Sequence, residues 1–194
     1  MSNIKDVKIE YRTRAKEILK TLDDDIFRNK VANGIMLKLL RQPEYKEAKT
    51  IMLYVSAGKE VITSKLMLFV LLAGKKVCLP LCTDTKNHIM EARLWNSDYR
   101  LETGAYGIPA PREDAPEIKP EEIDLLVLPC VACDKECNRL GHGAGYYDRF
   151  IDKLRPDCSK LALCYDNLVF DKIPTEDHDV KMDAVITEKN IYRR

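Results

Sequence analysis

The sequence predicts an α/β fold: a single three-layer domain over residues 1–194, with a mostly parallel sheet, flanking helices and a Rossmann-like layout. Three observations carry this reading. Residues 50–56, 63–73 and 76–80 read strand, helix, strand, the alternation of a parallel crossover unit. Residues 123–129, Ile-Asp-Leu-Leu-Val-Leu-Pro, form a nearly continuous apolar run, as strands covered on both faces do. A chain of 194 residues, 45% hydrophobic and 32% charged, suits one domain with a substantial core.

Residues 6–22 set Val7, Tyr11, Ala15, Ile18, Leu19 and Leu22 at helical spacing. That stripe buries one face and leaves Lys8 and Arg12 a turn apart on another. A second helix starts within residues 23–28 and runs to about Arg41, with Gln42-Pro43-Glu44 closing it. Residues 50–56, Thr-Ile-Met-Leu-Tyr-Val-Ser, make a buried first strand. Ala57-Gly58 turns the chain into a helix over 63–73, Gly74 ends it, and residues 76–80 form the second strand. Residues 88–95 predict a strand of the mixed or edge kind. Residues 104–117 hold Gly104, Gly107, Pro109, Pro111 and Pro116 and read as an ordered surface loop. After the apolar run 123–129 come a glycine-rich loop and a helix over 146–154; residues 161–165 and 183–187 complete a sheet of five or six strands. Ligands in such sheets bind beyond the carboxyl ends of the strands, so the loops after Val55, Pro80 and Pro129 frame the expected pocket.

Thirty-two Lys and Arg against 31 Asp and Glu give no support to a nucleic-acid or membrane-surface protein. No apolar run reaches the length of a membrane span, and the amino-terminal residues lack a secretory pattern, so a cytoplasmic protein is expected. Seven cysteines, an odd number, fit a reducing compartment. Cys130, Cys133 and Cys137 form a C-x2-C-x3-C run that matches no common metal or cluster spacing. Packing is the expected role of these thiols, with no bound zinc or iron.

The chemistry concentrates in residues 139–148, Arg-Leu-Gly-His-Gly-Ala-Gly-Tyr-Tyr-Asp. Gly141, Gly143 and Gly145 fall at every second position, where glycine admits close approach to exposed N–H groups and an anion-binding concavity. The pattern lacks the Gly-Lys-Ser/Thr of the P-loop and the Gly-x-Gly-x-x-Gly of dinucleotide sites. A phosphate-binding loop is the better reading, with a purely structural tight loop as the other. Arg139 offers a bidentate phosphate contact or braces the loop. His142, between two glycines, meets the ligand or caps the loop. Asp148 either stabilises a helix start or faces nucleotide-borne Mg²⁺, and Asp183 is a weaker second candidate. Glu60, beyond the first strand, binds substrate nitrogens or is a solvated helix-start residue. Lys8 and Arg12 reach phosphates only if the first helix packs over the pocket.

These residues resemble the 5-formyltetrahydrofolate cyclo-ligases, also called methenyltetrahydrofolate synthetases. The most specific part is residues 138–148 after Leu126-Val-Leu-Pro129 and Asp134, close to the family signature N-R-L-G-x-G-x-G-Y-Y-D. Lys8-x3-Arg12, Ser56-x3-Glu60, Leu79-Pro80, Gly107-Ile-Pro and Val180-Lys-Met-Asp183 support it. The resemblance implies ATP-dependent closure of 5-formyltetrahydrofolate to 5,10-methenyltetrahydrofolate, with ADP and phosphate released. The formyl oxygen takes the γ-phosphoryl group, N10 attacks the activated carbon, and phosphate leaves. The resemblance implies ATP binding by Lys8, Arg12, Arg139, Leu140, Gly141, His142, Gly143, Ala144, Gly145, Tyr146 and Tyr147, with Arg139, His142, Gly143 and Tyr146 at the reaction centre. It implies folate contacts from Val55, Glu60, Tyr106 and residues 142–146, and Mg²⁺ at Asp148 and Asp183. The substrate is a folate, polyglutamylated forms included, and a monomer is expected. Cys130, Cys133 and Cys137 depart from the common pattern, as does Ala144, where many members carry lysine or glycine. The competing classes are another nucleotide-dependent small-molecule enzyme, a non-catalytic nucleotide- or folate-binding regulator and, from the three-cysteine run, a metal-binding redox protein.

Overall fold

The computed structural model describes residues 3–22, 24–97 and 100–194. Helix α1 spans Ile4–Lys20, opened by the Asn3 side chain accepting from Lys5 N. Helix α2 spans Asp25–Leu39 behind an Asp24 cap, which accepts from Ile26 N at 2.8 Å. Asp23, part of the anticipated helix start, lies outside the described residues. Pro43 does more than close α2: it opens a short helix α3, Pro43–Glu47, because a first-turn residue has no need of its N–H.

Strand β1 (Thr50–Met52) leads through a loop to helix α4 (Ser64–Leu72) and strand β2 (Lys76–Asp84), the crossover read from the sequence. Strand β3 (Ile89–Trp95) returns antiparallel to β2. The proline- and glycine-rich segment is more structured than the anticipated loop. It holds the hairpin β4 (Glu102–Thr103) and β5 (Pro109–Ala110), and then strand β6 (Glu117–Ile118), which pairs with β3. Strand β7 (Leu125–Pro129) is buried along its whole length. Next come β8 (Ala132–Asp134), β9 (Arg139–Leu140), helix α5 (Tyr146–Ile151), β10 (Ser159–Leu163), β11 (Val169–Phe170), β12 (Ala184–Ile186) and β13 (Ile191–Arg193).

The main sheet runs β13-β12-β10-β7-β1-β2-β3-β6. Its centre, β12 through β2, is parallel throughout. This is the mixed α/β, mostly parallel architecture predicted, enlarged from the expected five or six strands by antiparallel edges. Strands β13 and β6 are too short and too exposed to leave an apolar run in the sequence. A second sheet, β11-β8-β9, takes its β8 and β9 strands from the stretch between β7 and α5. The glycine loop therefore does not leave β7 directly, as the apolar run suggested; a hairpin intervenes.

Candidate active site

That hairpin aims the loop, and one carboxylate holds it. Asp134 is fully buried. It accepts from Asn138 N and Glu136 N at 3.0 Å, from Asn138 Nδ2 at 2.7 Å and from Ile173 N at 2.9 Å. These bonds let Cys137 turn at a φ of 66°, unusual for a residue with a side chain. The next residues then run back along β8 to deliver Arg139.

The Arg139 guanidinium lies inside the fold, with 5% of its side chain exposed. It donates to Pro129 O, at the carboxyl end of β7, over 3.2 Å. It also donates to Asp148 Oδ1 over 3.1 Å and lies 5.7 Å from the Tyr147 ring centre. The loop thus stands where ligands of parallel sheets bind. Gly141 is required by this packing, since a Cβ there would approach Arg139 Nη1 to 2.9 Å. Leu140 is buried, so only its backbone is available to a ligand.

Helix α1 closes over the loop. Arg12 Nε donates to Gly141 O at 2.8 Å, so the first helix does pack against the glycine segment. Burial lowers the Arg12 pKa, with Asp179 and Asp148 acting in the opposite sense; an arginine remains charged regardless. Lys8, a turn earlier, is held elsewhere. Its ammonium donates to Glu176 Oε2 at 2.8 Å and Asp179 Oδ2 at 2.6 Å. Burial works against its charge, but those two carboxylates outweigh burial and raise its pKa. Lys8 reaches a phosphate only by exchanging one of these partners.

Gly143 has a φ of 102° and Gly145 one of 75°, so two of the three glycines use backbone closed to most residues. A Cβ on Gly143 would lie 3.1 Å from Arg12 Cζ. Gly143→Ala is expected to strain the loop by about 1–3 kcal/mol and to displace Arg12. Activity should fall well beyond what the loss of folded protein explains. Thermal melting and product formation measured on the same sample check this, and a fully active variant would rule it out.

The opposite wall comes from the segment after β1. Tyr54 OH donates to Val61 O at 2.8 Å, Arg28 Nη2 to Gly58 O at 2.7 Å and Tyr165 OH to Glu60 O at 3.2 Å. Val55 and Glu60 are thereby fixed at the carboxyl end of β1. Glu60 Oε2 accepts from Ala57 N at 2.8 Å, and His142 Nε2 donates to Glu60 Oε1 at 3.0 Å. His142 is two-thirds exposed and Glu60 is nearly covered. The histidine is therefore the mobile partner. Ala144, also exposed, leaves the loop without a cation of its own at that point.

Tyr106 and Tyr146 complete the rim, their hydroxyls 3.0 Å apart and their rings edge to face. Tyr106 has a φ of 59° and is mostly exposed, an aromatic held out at the mouth. Burial, then the bond with Tyr106, raises the Tyr146 pKa; burial does the same for Tyr147, and both phenols stay protonated at neutral pH. His88, at a φ of 55°, packs its ring edge to face on Tyr146 at 5.2 Å.

Asp183 and Asp148 are held by different partners. The Asp183 carboxylate accepts from Lys160 N at 2.7 Å, and Lys160 pairs with Leu126 near the amino end of β7. Asp148 is tied through Arg139 to Pro129, three residues further along β7, roughly 10 Å at strand spacing. Cys164, one residue beyond β10, lies beside Cys130 and Cys133, and Cys137 is not part of that group. Sequence spacing could find none of Asp179, Glu176, His88 or Cys164, because each reaches its partners across the fold.

The fold and the site define an α/β enzyme with a glycine loop near the carboxyl end of a parallel strand, with Glu60 against that loop and Tyr106 beside Tyr146. A family model described as the 5-formyltetrahydrofolate cyclo-ligase family matches residues 4–188. A probable 5-formyltetrahydrofolate cyclo-ligase of Caenorhabditis elegans is 30% identical, covering 97% of this chain and 96% of its own. One of Schizosaccharomyces pombe is 29% identical over 82% and 85%. The solution structure of the 5,10-methenyltetrahydrofolate synthetase of Aquifex aeolicus superposes with a TM-score of 0.84 at 30% identity, covering 96% of this chain and 92% of that one. The chain belongs to the 5-formyltetrahydrofolate cyclo-ligase family, and its activity is the cyclisation of 5-formyltetrahydrofolate to 5,10-methenyltetrahydrofolate.

Proposed function

We propose that residues 1–194 work as one cyclo-ligase domain in which ATP lies against Arg12, Arg139 and the backbone of residues 140–147, with the folate between Val55, Glu60, Tyr106 and the loop. The observation that carries this reading is the Glu60–His142 contact at 3.0 Å, which joins the folate-side carboxylate to the phosphate-side loop. Two reactants seated on either side of that contact would meet at Gly143 and Tyr146. ATP supplies the phosphoryl group that activates the formyl oxygen. The chain supplies positioning and charge: Arg139 and Arg12 offset developing negative charge, and the loop N–H groups face the phosphates. Lys8 adds a further cation when it leaves Glu176 or Asp179. The protonated Tyr146 phenol can donate to an oxygen of the reacting centre. Tyr106 offers a stacking face to the folate ring system, and its exposure leaves room for a polyglutamate tail.

Asp148 suits Mg²⁺ carried by the nucleotide, as an oxygen ligand on the phosphate side of the pocket. Asp148→Asn is expected to raise the Mg²⁺ needed for half-maximal activity, and Asp183→Asn to leave it unchanged. Superimposable Mg²⁺ titrations for wild type and Asp148→Asn would remove the assignment.

Glu60→Gln is expected to raise the apparent folate requirement at least about tenfold, one lost charge-assisted bond of roughly 1.5 kcal/mol, while ATP affinity holds. Calorimetric titrations with each ligand separate the two. Equal loss of both affinities would mean a general distortion instead.

We further place the chain in the cytoplasm as a monomer. Seven free thiols support a reducing compartment, and among the described residues no helix is long and apolar enough to cross a membrane. The reaction reading is tested by following methenyl product absorbance with 5-formyltetrahydrofolate and Mg-ATP, omitting each component in turn. Product without ATP, or none with all components present, would overturn it.

A further inference from the structure

We infer that Cys130, Cys133 and Cys164 form a binding site for one thiophilic monovalent cation, Cu(I), in trigonal coordination. All three thiols are buried, and their sulfurs lie within 4.8 Å of one another. An ion about 2.3 Å from each of three sulfurs needs them roughly 4 Å apart, so small rotations about the Cα–Cβ bonds suffice. The three come from independent, rigid places: the residue after β7, the middle of β8 and the residue after β10. Register is fixed on both sides, by Leu163 against Pro129 in the main sheet and by Cys133 against Arg139 in the hairpin. Such a cage is built by the fold and not by local spacing, so the C-x2-C-x3-C run does not reveal Cys164.

The donor set selects the ion. Three thiolates are soft ligands and favour Cu(I) and zinc over hard cations. Among the described residues no fourth His, Cys, Asp or Glu ligand atom joins the group. Structural zinc takes four ligands, whereas Cu(I) is satisfied by three. Each thiol that ligates gives its proton to the medium, and the oxidation state of the metal does not change. The resulting negative charge lies near the buried Arg139 guanidinium, which is bonded to the carbonyl of the residue before Cys130. The cage therefore adjoins the anchor of the glycine loop.

The full chain, expressed in copper-supplemented medium so that the ion can enter during folding, should be purified without oxygen and analysed for metal. One copper per chain is expected, with X-ray absorption giving about three sulfur neighbours at trigonal distances. Cys164→Ala should lower Cu(I) affinity, in competition with a chromophoric chelator, by more than the roughly 10–100-fold that loss of an outer partner costs. Cys137→Ala and Cys82→Ala should leave it unchanged. Thermal melts keep misfolded variants out of the comparison, and the sulfur count on wild type needs no variant. Copper well below one equivalent, two or four sulfurs, dependence on Cys137 or Cys82 in place of Cys164, or zinc bound as tightly as copper would each overturn the site.

Discussion

Arg139→Ala is expected to weaken ATP binding and lower turnover together, by roughly 1.5–3 kcal/mol, which is about a ten- to 150-fold loss in kcat/KM for ATP. The guanidinium is nearly all covered and is shared between Pro129 O and Asp148, which fixes its charge beside the glycine loop. Truncation removes a cation from the loop and leaves the Asp148 carboxylate without its partner, so phosphate meets net repulsion. Lysine at this position keeps the charge but cannot span the two partners with a planar fork, so Arg139→Lys should recover only part of the loss. Folate affinity should change much less, because Glu60 and Tyr106 are fixed by other contacts. ATP titration with steady-state kinetics reads both effects, and unchanged constants in a folded Arg139→Ala would contradict the role.

Asp134→Ala should be the most destabilising single change near the site, on the order of 3–5 kcal/mol. Four N–H donors converge on this carboxylate: Glu136 N, Asn138 N, Asn138 Nδ2 and Ile173 N. Alanine would leave the N–H groups of Asn138 and Ile173 buried with no acceptor. At roughly 2–4 °C per kcal/mol for a chain of this size, the melting temperature should fall by about 6–20 °C. Asp134→Asn retains one carbonyl acceptor and should lose less. A melting temperature within a degree or two of wild type would show that the hairpin is held by something else.

The parts of the fold that could be read from the sequence are those whose physics is local. Residues 123–129 announce a strand covered on both faces because four consecutive apolar side chains are needed there, and the structure buries every one. The α4 crossover is legible for the same reason: Gly58 and Gly74 punctuate it, and both have positive φ. Strands β6 and β13 were not legible, since two or three half-exposed residues carry no periodicity and are held by their neighbours' ladders. In the site, the glycine loop and Glu60 stood out by residue type and position. The partners of Lys8 did not, for Glu176 and Asp179 lie in an irregular acidic segment that looks like a solvated surface. Asp183 is the converse case. A carboxylate at the start of a late strand looks available in sequence, but the parallel register commits it to Lys160.

The contacts made by α1 bear on when the enzyme becomes competent during its synthesis. Arg12 reaches Gly141 across 129 residues of sequence, and Lys8 reaches Asp179 across 171. Helix α1 therefore waits for residues made much later before it can dock. Closing so long a loop is entropically unfavourable until the sheet has already brought the ends together. The central strands can pair first, while the helix that packs against the glycine loop remains unattached. A nascent or partly folded chain would thus carry an assembled sheet and an open, inactive pocket, and catalytic competence would arrive as the final event of folding.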